Sequence, residues 1–133
     1  MTKERFDEGM KVRRAVMGDA YVDRSMAAAD EFSMPMQDLV TRYCWGDVWT
    51  RPGLERKQRS IINLALLSAL NRPHELKGHV RGALNNGLTR EEIAEVLLQV
   101  AIYVGVPAGI DSFRIAREAF KEIDAEAAAK TGA

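Results

Sequence analysis

Apolar residues recur along most of this chain at the three- and four-residue spacing typical of amphipathic α-helices. No stretch of alternating polar and apolar residues is long enough to require a strand. The pattern predicts seven helical segments, which are residues 2–18, 21–32, 37–49, 55–71, 73–87, 88–107 and 108–130. In the first, Phe6, Met10, Val12 and Val16 lie near one side, and Gly18 ends the helix. We therefore predict an all-α protein of about six or seven helices.

Turn-forming residues mark the boundaries between these segments. Pro35 with its two methionine neighbours predicts a break, and Arg51-Pro52-Gly53 predicts a loop. Asn71-Arg72-Pro73 predicts the end of one helix and the start of the next.

The later boundaries are predicted in the same way. Asn86-Gly87 is typical of a helix stop. Thr89 and Glu92 have the spacing of a capping box. Gly105 and Pro107 are expected to close the helix that follows.

The segment "IINLALLSAL" is apolar on every side of its predicted helix. A helix of this kind is buried all round. In a chain this short, we expect it to pack against another subunit as well as against the core.

Length and composition favour one globular domain. The chain has 133 residues, of which 47% are hydrophobic and 29% are charged. We expect a single domain over residues 1–133, with a core at about 30–122, N-terminal helices at 1–30 and a frayed tail at 123–133. Because Lys+Arg and Asp+Glu both number 19, no net charge draws the chain to nucleic acid or to an anionic membrane.

Three further sequence features indicate a cytoplasmic protein. Cys44 is the single cysteine, so an internal disulfide and a cysteine-based zinc site are excluded. The charged N-terminus has no apolar region of the secretory type. The longest apolar run is about half the length of a membrane span.

Glu75 and His79 are the first candidates for chemistry. They are four residues apart in a predicted helix, so their side chains meet on one face. A carboxylate beside an imidazole can orient the ring and raise its pKa, as in a general acid or base. The same spacing is also common in exposed pairs without function. His74, beside Pro73, is interpreted as a surface residue at a helix start.

The second candidate group surrounds the loop at residues 50–55. Trp45 and Trp49 are one helical turn apart, and three arginines follow, Arg51, Arg56 and Arg59. Tryptophan walls with arginine forks suit a planar organic anion, although buried tryptophans with solvated arginines would give the same pattern.

Two single residues complete the candidates. Cys44 is interpreted as a small buried hydrophobe. Tyr103 is interpreted mainly as a packing residue whose hydroxyl needs a partner if buried, and we also count it among the substrate-binding candidates.

Several motifs of other enzyme classes are missing. The sequence has no Gly-rich phosphate loop, no G-x-S-x-G motif and no recognisable cluster of metal ligands. We therefore expect acid–base chemistry without a cofactor or a metal.

Four segments, in order, resemble the γ-carboxymuconolactone decarboxylase family of the alkylhydroperoxidase D-like superfamily. They are W-x-R-P-G-L, R-S-I-I, E-L-x-x-H-x-x-x-A-L-N-N-G-x-T-x-E-E-I and Y-x-G-V-P. The resemblance is strong over about 43–120 and loose in the N-terminal helices. It implies an alkylhydroperoxidase D-like all-α fold, assembled as a homotrimer or as a hexamer of two trimers.

The resemblance also implies an activity. The substrate would be a small dicarboxylate lactone, 4-carboxymuconolactone, converted to β-ketoadipate enol-lactone and CO2 in protocatechuate catabolism. His79 matches the family's candidate catalytic histidine, and Glu75 its upstream carboxylate. His79 is the expected proton donor with Glu75 orienting it, and the reverse division of labour stays open.

Residues for the substrate's carboxylates follow from the same resemblance. Arg51, Arg59 and Arg81 are expected to hold them, and Trp49 to form an apolar wall.

Alternative functions stay open. The peroxidatic relatives carry a Cys-x-x-Cys pair ahead of their histidine, which "HELKGH" lacks. The same fold could nevertheless act on another small lactone or reduce peroxides through Cys44. The chain could also be a non-catalytic oligomeric binder of small molecules.

Overall fold

The structure, a computed structural model, describes residues 2–132. All regular secondary structure in this part of the chain is helical. The seven α-helices, α1 to α7, are Lys3–Met17, Asp19–Ala28, Met34–Leu39, Arg56–Ala69, Pro73–Asn85, Arg90–Tyr103 and Val106–Lys130. A π-helix, Val40–Val48, directly follows α3. The all-α prediction is confirmed.

The helices form two compact units, Met1–Arg59 (unit 1) and Ser60–Ala133 (unit 2). The boundary falls within α4, near its beginning. The single domain expected for residues 1–133 stays a prediction.

Unit 1 is built on a close contact between α1 and the π-helix. A Cβ at Gly9 would lie 2.0 Å from the backbone oxygen of Thr41, so only glycine lets the two backbones approach this closely. In the π-helix the Trp49 N–H donates to the Cys44 carbonyl, five residues back, at 3.0 Å. The helix predicted over residues 37–49 is therefore part α-helix and part π-helix.

The hydrophobic core of unit 1 lies between α1, α2 and the π-helix. Its buried residues are Val12, Val16, Met17, Val22, Trp45 and Trp49. Of the four residues predicted for one side of α1, Val12 and Val16 are buried, while Phe6 and Met10 are half-buried.

Two boundaries in unit 1 differ from the sequence expectation. Pro35 does not break a helix but lies in the first turn of α3, where proline's fixed φ suits the helix and no backbone donor is lost. The second helix ends at Ala28 because Asp30 and Ser33 form a turn. The Ser33 N–H donates to Asp30 Oδ1 at 2.9 Å, and the Asp30 N–H donates to Ser33 Oγ at 3.0 Å.

Unit 2 packs α4, α5, α6 and α7 around a second core. Its buried residues are Leu64, Leu76, Val80, Ala83, Leu88, Ile93, Leu97, Ala116 and Ala119. The predicted capping box of α6 is confirmed: the Glu92 N–H donates to Thr89 Oγ1 at 3.0 Å, and the Thr89 N–H donates to Glu92 Oε1 at 2.9 Å. The stop at Asn86-Gly87 is confirmed too, since Gly87 has a φ of 98°.

Helices α5 and α7 run parallel along their whole contact. Lys77 Nζ pairs with Glu122 at 2.9 Å, and one turn later Arg81 pairs with Glu126 at 2.8 Å. Arg90 pairs with Asp124 at 2.7 Å. Asp124 and Glu126 lie in the segment for which we predicted fraying, and α7 continues through it to Lys130. Ala133, the last residue of that prediction, lies outside the described residues.

One face of α4 is exposed, in contrast to the expectation that it is buried all round. Leu64 is fully buried, but Ile62, Leu66 and Leu70 are 43%, 51% and 62% exposed. Within the described chain this face has no cover, and its packing against another subunit stays a prediction.

Candidate functional site

The Glu75–His79 pair lies on α5, as the spacing predicts. Pro73 is in the first turn, which places Glu75 near the positive N-terminal end of the helix. Glu75 is exposed, whereas His79, one turn further along, is half-buried. Leu76 and Val80, on the adjoining face, anchor α5 in the core of unit 2 and so hold this pair in place.

Burial decides the charge of His79. It lowers the pKa of the imidazole from 6.5 to about 4, and the negative charge of Glu75 opposes this shift without cancelling it. The expectation that Glu75 raises the pKa is therefore right in direction but is outweighed. At neutral pH the ring is uncharged, so it can donate one N–H and accept one proton.

This lowered pKa makes folding stability depend on pH. Since the folded state binds a proton on His79 less readily than the unfolded state, the stabilisation is complete above pH 6.5 and declines as the pH falls towards about 4. Across that window we expect wild type to lose on the order of 2–3 kcal/mol more than His79→Gln. Urea denaturation of both proteins measures the difference. Equal losses would show that His79 is not buried in its neutral form.

Asn86 continues the face of α5 that carries His79, and it is hydrogen-bonded to Ser60 of α4. Asn86 lies two helical turns after His79, and its Nδ2 donates to Ser60 Oγ at 2.8 Å. Ser60, on α4, is fully buried. Sequence reasoning treated Asn86 only as a helix stop and passed over Ser60, because a contact between two helices leaves no mark in the local pattern.

Arg81 lies on another side of α5. Residues two apart in an α-helix are separated by about 200° around its axis, so Arg81 and His79 point in nearly opposite directions. Both terminal nitrogens of Arg81 donate to Glu126, at 2.8 Å and 3.0 Å. Binding of substrate by Arg81 stays a prediction, and it would have to compete with this bidentate pair.

Tyr103 is at the end of α6 and is 83% exposed, so its interpretation as a packing residue is wrong for the described chain. It borders a cavity of about 360 Å³ between α4 and α6. The rest of the lining is mostly apolar: Ile61, Ala65, Leu66, Ala69, Val96, Gln99, Val100 and Val104. The exposed phenol can contact a ligand or another chain, and its role in substrate binding stays a prediction.

The tryptophans of unit 1 are core residues. Trp49 is 5% exposed and packs on Trp45 with 4.8 Å between ring centroids and 34° between ring planes. The Trp49 side chain also hydrogen-bonds to Cys44, and burial raises the pKa of that thiol despite the nearby Arg13. A protonated, partly buried thiol is a poor nucleophile, which counts against peroxide reduction through Cys44.

Arg51 lies in the loop that precedes α4, and Arg59 lies in the first turn of α4. Arg51 is exposed, and Arg59 Nη2 donates to the Arg51 carbonyl oxygen at 3.2 Å. Among residues 2–132, buried Arg59 Nε has no hydrogen-bond partner. Both arginines and Trp49 belong to unit 1, and His79 belongs to unit 2. A single site that joins them stays a prediction.

Two features of residues 2–132 bear on other kinds of site. No group of three or more His, Cys, Asp or Glu side chains is placed to hold a metal ion. No helix in the same range has the length and apolar character needed to cross a membrane.

Comparisons with known proteins agree on one family. The family model described as "Carboxymuconolactone decarboxylase family" matches residues 35–118. A 4-carboxymuconolactone decarboxylase from Acinetobacter baylyi is 39% identical over 91% of this chain and 90% of its own length. A nitrosuccinic acid decarboxylase from Metarhizium robertsii is 43% identical over 89% of this chain and 82% of its own length.

A third relative is shorter. A 4-carboxymuconolactone decarboxylase from Pseudomonas putida is 49% identical over 34% of this chain and 94% of its own length. These relatives are named for two different substrates, so the matches indicate a carboxy-lyase without fixing what it acts on.

Proposed function

This chain belongs to the carboxymuconolactone decarboxylase family, and we propose that it converts 4-carboxymuconolactone to β-ketoadipate enol-lactone and CO2 without a cofactor. The observation that carries the proposal is the near-full-length similarity to a decarboxylase of that name. In this proposal the enzyme serves protocatechuate breakdown by the β-ketoadipate pathway, in the cytoplasm.

The substrate supplies its own electron sink. Its leaving carboxylate sits on the γ carbon of an α,β-unsaturated lactone. When CO2 departs, the electrons of the broken C–C bond move through the C=C bond into the lactone carbonyl and form a dienolate. The enzyme then has to stabilise that oxygen and deliver a proton to the α carbon.

In this proposal His79 delivers that proton. The neutral ring of the free protein has to gain a proton first, and a substrate with two negative charges favours this gain because opposite charges raise the pKa of an imidazole. Glu75, on the same face of α5, acts in the same direction. The alternative division makes Glu75 the acid and leaves neutral His79 to hydrogen-bond the dienolate oxygen.

Arg51 and Arg59 are the proposed carboxylate clamp. The hydrogen bond from Arg59 to the Arg51 carbonyl holds the Arg59 guanidinium beside the backbone of Arg51. Arg81 is a weaker candidate because Glu126 already accepts both of its terminal nitrogens.

We expect Arg51→Ala to raise KM about tenfold or more and to change kcat less, because a lost charge-assisted hydrogen bond costs about 1.5–3 kcal/mol. Arg59→Lys is the milder second variant, because it keeps the positive charge and loses the planar guanidinium that can bind a carboxylate through two hydrogen bonds. Arg24→Ala, an exposed arginine of α2, is the matched control. An unchanged KM in both variants would place the clamp elsewhere. Steady-state kinetics decide this.

The homo-oligomer implied by the family is also part of the proposal, as a trimer or hexamer. The exposed apolar residues of α4 support it, as do Leu98, Ile102 and Tyr103 of α6, which are 50%, 78% and 83% exposed. Monomeric proteins rarely expose so much contiguous apolar surface.

Nitrosuccinate is a second candidate substrate, favoured by the 43% identity to a decarboxylase of that name. It is also a dicarboxylate, and its nitro group can take up the electrons left by CO2. A nitronate that needs a proton on carbon would then replace the dienolate, so the same residues could serve both reactions.

Turnover of each substrate by the purified chain, followed by ultraviolet absorbance and CO2 release, separates these functions. Faster decarboxylation of the lactone is the expected result. Turnover of nitrosuccinate alone would assign the second candidate. Binding of either compound with a rise in Tm and no CO2 would instead indicate a binding protein.

A further inference from the structure

Helix α7 begins beside the turn that leads into α5, within unit 2. The positive end of its dipole favours an anion at this place. The N-terminus of α7 is not capped by a side chain, unlike those of α1 and α6. The Ala108 amide, in its first turn, lacks an intrahelical acceptor.

A cleft of about 150 Å³ lies at this end of α7. Its lining includes Pro73 of α5, Pro107 and Ala108 of α7, and the preceding turn with Asn71 and Arg72. The space is several times the minimum for one water molecule, so it admits a small polyatomic ion such as inorganic phosphate or a short carboxylate.

A buried hydroxyl provides an independent indication of a ligand. Ser68 lines the cleft and is only 6% exposed, and its Oγ has no hydrogen-bond partner among residues 2–132. Ser112, on α7, lines the same cleft and is 2% exposed. A buried hydroxyl without a partner costs about 1–3 kcal/mol, and an acceptor in the cleft would remove that cost.

One cation and one carboxylate lie in the lining of the cleft. Arg72 stands at the rim, and its Nη1 makes a weak 3.5 Å contact with the Leu70 carbonyl oxygen. The one carboxylate in the lining, Asp111, is paired with Arg114 of the next turn. His79 is not part of the lining, so this cleft is separate from the Glu75–His79 pair.

We propose that this cleft binds a small oxyanion through the hydroxyls of Ser68 and Ser112, the Ala108 amide in the first turn of α7, and the guanidinium of Arg72. The ligand class includes inorganic phosphate and short carboxylates, which share the acceptor oxygens that these donors require. The site does not depend on the chain's decarboxylase activity.

Titration of the ¹⁵N-labelled chain with inorganic phosphate, at constant ionic strength maintained with chloride, tests the proposal. We expect saturable shifts of the Ser68, Arg72 and Ala108 amide signals. A parallel titration with succinate tells whether phosphate or a carboxylate is the better ligand. Absence of these shifts, or equal shifts with chloride alone, would overturn the site.

Two variants make the test specific. Ser68→Ala should fold at least as stably as wild type, because it removes a buried hydroxyl without a partner, yet bind phosphate about tenfold or more weakly. Arg72→Gln should also weaken binding, whereas Arg117→Gln, an exposed residue of α7 outside the cleft, should not. Unchanged phosphate affinity in Ser68→Ala would refute the assignment.

Discussion

Replacing His79 by alanine is expected to lower kcat for 4-carboxymuconolactone by about 10²- to 10⁴-fold, the usual contribution of a positioned proton donor. The expected loss is in kcat more than in KM, since the proton transfer belongs to the transition state. Steady-state kinetics on the purified variant measure both. His79→Gln is the companion variant, because it keeps most of the volume of the half-buried ring and cannot transfer a proton.

His74→Ala is the matched control for this prediction. His74 is exposed in the first turn of the same helix, and its replacement should leave turnover close to wild type. Near-wild-type turnover in His79→Ala would remove His79 from the mechanism.

The pH profile separates the two divisions of labour between His79 and Glu75. If protonated His79 is the donor, kcat/KM rises as the pH is lowered towards about 4, the pKa of the free protein. The kcat profile, which reports the enzyme–substrate complex, then shows a higher apparent pKa than the kcat/KM profile, because bound substrate raises the pKa of His79. A protonated Glu75 would give a rise of the same sign, so the profiles of His79→Gln and Glu75→Gln decide between them: the variant that loses the rise identifies the donor.

Replacing Gly9 by alanine is expected to destabilise the protein by at least about 2–3 kcal/mol, a large part of the usual 5–15 kcal/mol of a folded domain. The added Cβ would lie 2.0 Å from the Thr41 carbonyl oxygen, and backbone on both sides of the contact cannot easily move. Alanine in a helix otherwise stabilises by about 1 kcal/mol relative to glycine, so the sign of the effect is diagnostic.

Gly53→Ala is the control, because a Cβ at Gly53 meets nothing within 4 Å. We expect this variant to stay within about 0.5 kcal/mol of wild type. Urea denaturation followed by circular dichroism compares the two. A stabilised Gly9→Ala would show that α1 and the π-helix are further apart than in this structure.

Local chemistry was sufficient to predict most of the helix boundaries. The Gly18 stop, the capping box of α6 and the Glu75–His79 pair each depend on residues within four positions of one another. Interactions at that range depend only on residues that are close in sequence, so they can be predicted without knowing how the helices pack. Pro35 was misinterpreted because proline both breaks a helix and begins one.

Features that depend on a distant segment were not predictable in this way. The π-helix lies against Gly9 of α1, which is more than thirty residues earlier in the chain. The Arg81 side chain donates a hydrogen bond to Glu126, which lies 45 residues later. The exposure of Tyr103 and of one face of α4 likewise follows from which helices pack together.

The candidate site shows the same division. The sequence by itself determined that a carboxylate and an imidazole share one face of α5, because helical geometry needs nothing beyond their spacing. Only the tertiary structure decided the charge of that imidazole: burial removes water from the ring and outweighs the attraction of Glu75, so His79 is neutral before substrate arrives. Desolvation depends on everything packed around a group, and no local pattern of residues records it.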